Sequence, residues 1–174
     1  MGEPPSNSGL KGHGHDANEA PGVRVGILIR QAPHDVFEPL ADPAITTRFW
    51  YTKSSGRTPG AELLWEWEMY GVAGYVSVLE VEPYRRIRFH AKTDNPDHLT
   101  TVEVLFIPYQ DDKTYVQITE TSFIGDADAR VACALDSTAG YRFLLSALKA
   151  VLEQDVRLQV TADAHPPDLH LPTA

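Results

Sequence analysis

The feature that most restricts this chain is a single change of hydrophobic period. Six segments between Val23 and Phe123 place apolar residues at every second position, and the stretch from about Ala129 to Gln159 places them at helical spacing. Val23, Val25, Ile27 and Ile29 alternate with other residues in the first segment. Leu63, Trp65, Trp67 and Met69 oppose Leu64, Glu66 and Glu68 in the second. Tyr75–Glu82, Arg85–Lys92, Thr100–Ile107 and Lys113–Phe123 follow, separated by short polar turns such as Gln110-Asp111-Asp112. Short alternating strands joined by tight turns imply an antiparallel meander. Two short helices fit between the first two strands. Pro33 suits a first helical position with Asp35 in the first turn, and Asp42-Pro43 opens a second helix running toward Trp50.

From Ala129 to Gln159 there is no proline, and Ala134, Tyr141, Leu145, Leu148 and Leu152 lie on one stripe. A helix of about 30 residues would be about 45 Å long. The fold class that follows is α+β: a curved six-stranded antiparallel sheet around a long C-terminal helix, with the short helices closing one end. Such a cup tends to enclose an interior where ligands sit. Residues 1–21, rich in Gly, Pro and Ser, read as a disordered tail, residues 22–160 as the folded domain, and residues 161–174 as a second tail.

Composition removes several function classes. The net charge of −9 argues against nucleic acid and anionic membranes as partners. No apolar run approaches the roughly 20 residues that span a bilayer, and the polar N-terminus has no signal-peptide core, so a cytoplasmic location is expected. The lone Cys133 makes neither an internal disulfide nor a thiolate metal site, and reads as a small buried apolar residue. The His13–Asp16 stretch (HGHD) lies in a tail that does not preorganise metal ligands. No nucleotide, dinucleotide or zinc motif is present, so no metal or cofactor is expected.

Four stretches resemble the helix-grip, or START-like, superfamily, and within it the subgroup related to the C-terminal domain of the activator of the heat-shock protein 90 ATPase. They are Ile29–Leu40 (IRQAPHDVFEPL), Gly74–Phe89 (similar to G-x-V-x-E-x-x-P-x-x-x-I-x-F), Val116–Phe123 (VQITETSF, close to V-x-I-T-E-x-G-F) and Gly140–Glu153 (similar to G-W-x-x-x-L-x-x-L-K-x-x-L-E). Together they cover about residues 23–158. The superfamily includes lipid carriers, hormone receptors and polyketide cyclases, so the resemblance implies a fold rather than a reaction. Tyr141 stands where Trp is common and Ser122 where Gly is common; both departures are expected to alter the cavity wall.

The large aromatic residues Trp50, Trp65, Trp67, Tyr75, Phe89, Phe106, Phe123 and Tyr141 are candidate ligand contacts, or else ordinary core. Glu66, Glu68, Glu80 and Glu120 lie within strand segments. Facing an apolar interior, a carboxylate gains a raised pKa and acid–base capacity; facing outward, these would pair with Arg86, Arg88 or Lys113. Glu66, Glu120 and Tyr141 are the catalytic candidates, and His90 shares its strand side with two arginines, which suggests a solvated face.

Three functions stay open. One is binding of a small apolar or aromatic ligand. Another is a cyclase- or dehydratase-like enzyme acting on a polyketide-like substrate, which requires two polar groups facing each other across the interior. The third is a chaperone-associated protein, for which the resemblance implies an additional N-terminal docking domain; here only residues 1–22 precede the first strand. A homodimer through a sheet edge or the helix face is also expected to be compatible with such a cup.

Overall fold

The computed structural model describes residues 22–46, 53–54, 62–67, 72–92, 99–164 and 166. The six strands expected from the alternation are present: β1 (Val23–Ile29), β3 (Glu62–Trp67), β4 (Val72–Glu82), β5 (Arg86–Lys92), β6 (Leu99–Pro108) and β7 (Thr114–Thr121). A two-residue strand, β2 (Lys53–Ser54), makes a seventh, too short to leave a periodic signal. All pairs are antiparallel, in the order β1-β7-β6-β5-β4-β3-β2. The first strand therefore closes onto the last, and the rest follow as a meander.

Helix α1 (Pro33–Ala41) begins on Pro33, whose missing N–H costs nothing in a first turn. Asp42 then caps α2 (Pro43–Thr46), its carboxylate accepting from the Ala44 N–H at 2.9 Å. Thr46 is fully buried, and its hydroxyl is satisfied by the Pro39 carbonyl at 2.6 Å. The expected run from Thr46 toward Trp50 lies outside the described residues, as do the N-terminal tail and its HGHD stretch.

Helix α3 spans Ala127–Gln154 rather than Ala129–Gln159. Asp126 caps it, accepting from the Ala129 N–H at 2.9 Å. It stops where Glu153, Gln154 and Asp155 interrupt the apolar stripe: Asp155 turns left-handed at φ 52°, and its N–H bonds back to Val151. A short helix, α4 (Val160–Ala164), occupies the start of the segment read as a C-terminal tail, with Val160 packed on the core.

The core lies between the inner sheet face and α3. Val25, Ile29, Val76, Val78, Ile87, Phe89, Val102, Val104, Phe106, Val116 and Ile118 come from the strands, and Ala134, Leu144, Leu145, Leu148 and Val151 from the helix. Strand β1 is an edge, and α3 covers that edge with polar side chains. Arg142 donates to the Gly26 carbonyl at 3.2 Å and Lys149 to the Leu28 carbonyl at 2.8 Å. Glu153 accepts from the Arg30 N–H at 2.7 Å and is paired with Lys149 as well.

One local irregularity reassigns a strand face. Residues Val78 and Glu80 pair with Phe89 and Arg88, so Leu79 is a bulge. Simple alternation puts Glu80 in phase with Val76 and Val78. The extra residue turns it to the outer face, where it meets Arg86 at 3.0 Å and Arg88 at 3.6 Å. Glu82 and Glu103 join the same cluster.

Candidate functional site

Among the described residues, four polar or charged side chains are buried: Thr46, Thr100, Thr114 and Glu120. The three threonines have hydroxyl partners. Glu120 is different. Its strand alternation places it on the inner face in phase with Val116 and Ile118, opposite Val102 of β6 and Val23 of β1. It is only 5 % exposed. One carboxylate oxygen, Oε1, accepts from the Thr100 hydroxyl at 2.6 Å, while Oε2 is buried without a hydrogen-bond partner. A buried carboxylate oxygen in an apolar wall is costly unless something supplies a proton or a donor.

Tyr141 comes to this carboxylate from α3. Its ring packs at the margin of the core and its hydroxyl end sits deep. Burial pushes the phenol well above its ordinary value, and the adjacent negative charge of Glu120, together with its capacity to accept the phenolic proton, pushes it further. The phenol thus holds its proton through neutral and moderately alkaline pH. Strand β7 and helix α3 together bring a proton acceptor and a proton donor to one place in an otherwise hydrocarbon interior.

Other candidates fall into distinct groups. Phe89 and Phe106 are inner-face residues; Phe106 packs edge-on against Phe37 with ring centroids 5.2 Å apart. Phe123 is partly buried against the core. Tyr75 is a correction: it is out of phase with Val76 and Val78, is 51 % exposed, and so belongs to the outer face rather than the interior. Register pairs Trp65 with Gly74 and Trp67 with Val72, positions in phase with Val76, whereas Glu66 pairs with Ala73, out of that phase. Trp50 and Glu68 lie outside the described residues.

His90 meets Thr101 at 3.3 Å on the outer side beside the arginine–glutamate cluster. Cys133, read as a small buried residue, is exposed, because the first turns of α3 extend past the fully covered part of the core. Ser122, expected to alter the cavity wall, is exposed and sits at φ 73°. The glycine common at that position in the resembling motif answers to a left-handed backbone. A signal missed in sequence is Arg130, which extends the inner stripe of α3 toward its N-terminus and has a buried Nε without a hydrogen-bond partner.

No group of three or more His, Cys, Asp or Glu residues is arranged to hold a metal ion among the described residues. No described helix is long and apolar enough to cross a membrane.

The profile described as "Activator of Hsp90 ATPase homolog 1-like protein" matches residues 30–153, from the end of β1 nearly to the end of α3. The chain belongs to this family. The match spans Glu120, Tyr141 and Arg130, so the site lies inside the shared unit. No curated protein sequence matches the chain. Among solved structures, a Staphylococcus saprophyticus protein is similar at 24 % identity and TM-score 0.66, covering 79 % of this chain and 96 % of its own. The Aha1 dimer from Colwellia psychrerythraea is similar at 19 % identity and TM-score 0.63, covering 76 % and 96 %. The di-domain ARO/CYC protein BexL of the BE-7585A biosynthetic pathway is similar at 16 % identity and TM-score 0.64, covering 76 % and 46 %. At these identities the likeness is one of fold.

Proposed function

We propose that this family member binds a small apolar or aromatic molecule in the cytoplasm, between the inner sheet face and α3. The observation behind this reading is the unpartnered Glu120 Oε2 in the apolar interior. A carboxylate kept there for stability would have both oxygens satisfied. A ligand donor placed against Oε2 would complete the set, while the surrounding aliphatic and aromatic wall supplies most of the binding area. BexL, a protein of similar fold, is an ARO/CYC protein of a biosynthetic pathway, which is in keeping with a small-molecule ligand.

The test is native mass spectrometry of the purified protein, then denaturation and small-molecule analysis of what is released. A panel of lipids, polyketides and flavonoids scored by thermal midpoint runs beside it. A stoichiometric compound, or a midpoint raised in a saturable way by one class, is the expected result. An empty protein with a midpoint unmoved by the whole panel would refute it.

A second reading is favoured by the Glu120–Tyr141 pair. A cyclase- or dehydratase-like enzyme needs an acceptor and a donor facing one substrate, and these two groups provide them. Turnover of a polyketide-like substrate that is lost in both Glu120→Gln and Tyr141→Phe would establish this reading over simple carriage. A homodimer, the state named for the Colwellia relative, is expected here too, and sedimentation analysis reads it directly.

A further inference from the structure

Helix α3 is apolar on two sides. One side packs on the sheet through Ala134, Leu144, Leu145, Leu148 and Val151. The other carries Val131 and Leu135, one turn apart and 48 % and 67 % exposed. They belong to a run at helical spacing, Asp128, Val131, Leu135, Ala139, Arg142 and Ser146, and every member is exposed. These positions fall within an arc of about 80° around the helix. A lone exposed leucine is ordinary, whereas an apolar stripe at this period is what a helix offers to another helix.

The stripe has definite ends. Toward the C-terminus its continuation, Lys149 and Glu153, is partly buried and bonded to the Leu28 carbonyl and the Arg30 N–H of the β1 edge. Toward the N-terminus the helix itself begins at Ala127, behind its Asp126 cap. The free length from Asp128 to Ser146 is about 27 Å. Two charges stand in it, Asp128 at one end and Arg142 near the other, with Leu135 midway between them. Arg142 gives one N–H to the Gly26 carbonyl at 3.2 Å, and its guanidinium has further donors to offer.

A second copy laid antiparallel, with a two-fold axis at Leu135, matches this pattern throughout. Leu135 meets the partner's Leu135. Val131 meets the partner's Ala139, a larger residue against a smaller one, which suits the separation of about 8–10 Å at which helices pack. Asp128 meets the partner's Arg142, and the symmetry makes that pair twice. A parallel arrangement sets Asp128 against Asp128 and Arg142 against Arg142. An antiparallel one shifted by a turn in either direction loses both ion pairs.

We propose that this stripe is the contact between two copies of the chain, an antiparallel α3–α3 pair with its two-fold axis at Leu135. The proposal rests on the homodimer expected above and gives it a surface. The ligand reading is independent of it, because Tyr141 packs toward the core on another side of the helix. A strip about 27 Å long and about 10 Å wide covers on the order of 300 Å², well below the roughly 800 Å² per partner of a standard interface. The dimer is therefore expected to be weak, half formed on the order of 10–100 µM.

The test is sedimentation velocity of the full chain from about 1 to about 500 µM, a range that brackets such an affinity. It is run on the parent, on Leu135→Asp, Asp128→Arg and Arg142→Glu, and on an equimolar mixture of the last two, each checked for folding by circular dichroism. The parent is expected to move from 19.3 kDa toward twice that mass as concentration rises. Leu135→Asp, which brings two carboxylates together on the axis, is expected to stay monomeric. Each charge variant opposes like charges at both ends of its own dimer and should weaken it about tenfold. Their mixture restores opposite charges at both ends, so a heterodimer should regain the parent's affinity, which damage within either chain would not allow. A monomer at every concentration overturns the interface and the homodimer expectation together. A dimer of unchanged strength in all three variants overturns the interface alone. A dimer lost in Leu135→Asp without recovery in the mixture overturns the antiparallel two-fold pairing. Leu135 is largely exposed, so its variant is expected to fold and keeps the test decisive even if Arg142→Glu, which gives up the Gly26 bond, is compromised.

Discussion

Replacing Glu120 by glutamine separates a residue kept for a ligand from one kept for the fold. The amide oxygen can retain the 2.6 Å bond from the Thr100 hydroxyl. The amide nitrogen then takes the place of Oε2, which has no hydrogen-bond partner. The substitution removes a buried charge and one unsatisfied acceptor, an error worth about 1–3 kcal/mol. It also places amide hydrogens where no acceptor is defined, which returns part of that. The net expectation is a gain of about 1 kcal/mol. For a chain of this size that is about 2–4 °C in thermal midpoint. Urea unfolding followed by tryptophan fluorescence measures it, with an unchanged slope as the sign that only stability moved. A stability gain joined to loss of ligand donor recognition is the pattern of a functional residue. If Glu120→Gln instead loses more than about 1 kcal/mol, the carboxylate is a structural group and the argument from its free oxygen fails.

Further outcomes follow from other places in the fold. Ser122→Gly relieves a left-handed backbone costing about 1–2 kcal/mol and gives back part through unfolded-chain entropy; a net stabilisation of about 0.5–1 kcal/mol is expected by chemical denaturation. Because Tyr141 is raised above 10.0 in the folded chain, its contribution to stability is complete below pH 10 and is lost as pH rises through the folded value. Alkaline absorbance titration should show one tyrosine ionising late, and Tyr141→Phe should remove that component. Glu153 is the opposite case. Burial opposes its ionisation, but its bonds from Lys149 and the Arg30 N–H prevail and lower its pKa, so its contribution is present above 4.5 and fades as pH falls through the folded value. Glu153→Gln should lose stability at neutral pH, and the gap to the parent should close in acid unfolding titrations below about pH 4.5.

Period and punctuation made most of this fold readable, because they act locally. Val23–Ile29 alternates cleanly and became β1, and Pro33 and Asp42 started helices where such residues start them. The errors arose where geometry is set by partners. Counting alternate residues through Gly74–Phe89 gives no sign of the Leu79 bulge, which depends on how β4 pairs with β5 and which turned Glu80 outward. Tyr75 looked like a ligand contact by residue type, and only its phase relative to Val76 shows otherwise. Glu120 and Tyr141 were each visible in sequence, but their meeting requires the packing of α3 over β7. Arg130 was hidden because a charged residue in the first turns of a helix is ordinarily solvated, and only the exposure gradient along α3 makes it unusual.

The bonds from Arg142, Lys149 and Glu153 to β1 also govern how the sheet can grow. An uncovered edge strand offers its carbonyls and amides to any extended peptide. Here the Gly26 and Leu28 carbonyls and the Arg30 amide are already taken by the helix, so another chain cannot add a strand there without first displacing three charged side chains. Assembly of copies through continuous β-structure is barred on this side. Acid weakens the bar by neutralising Glu153, so low pH should favour strand-to-strand polymerisation starting from β1.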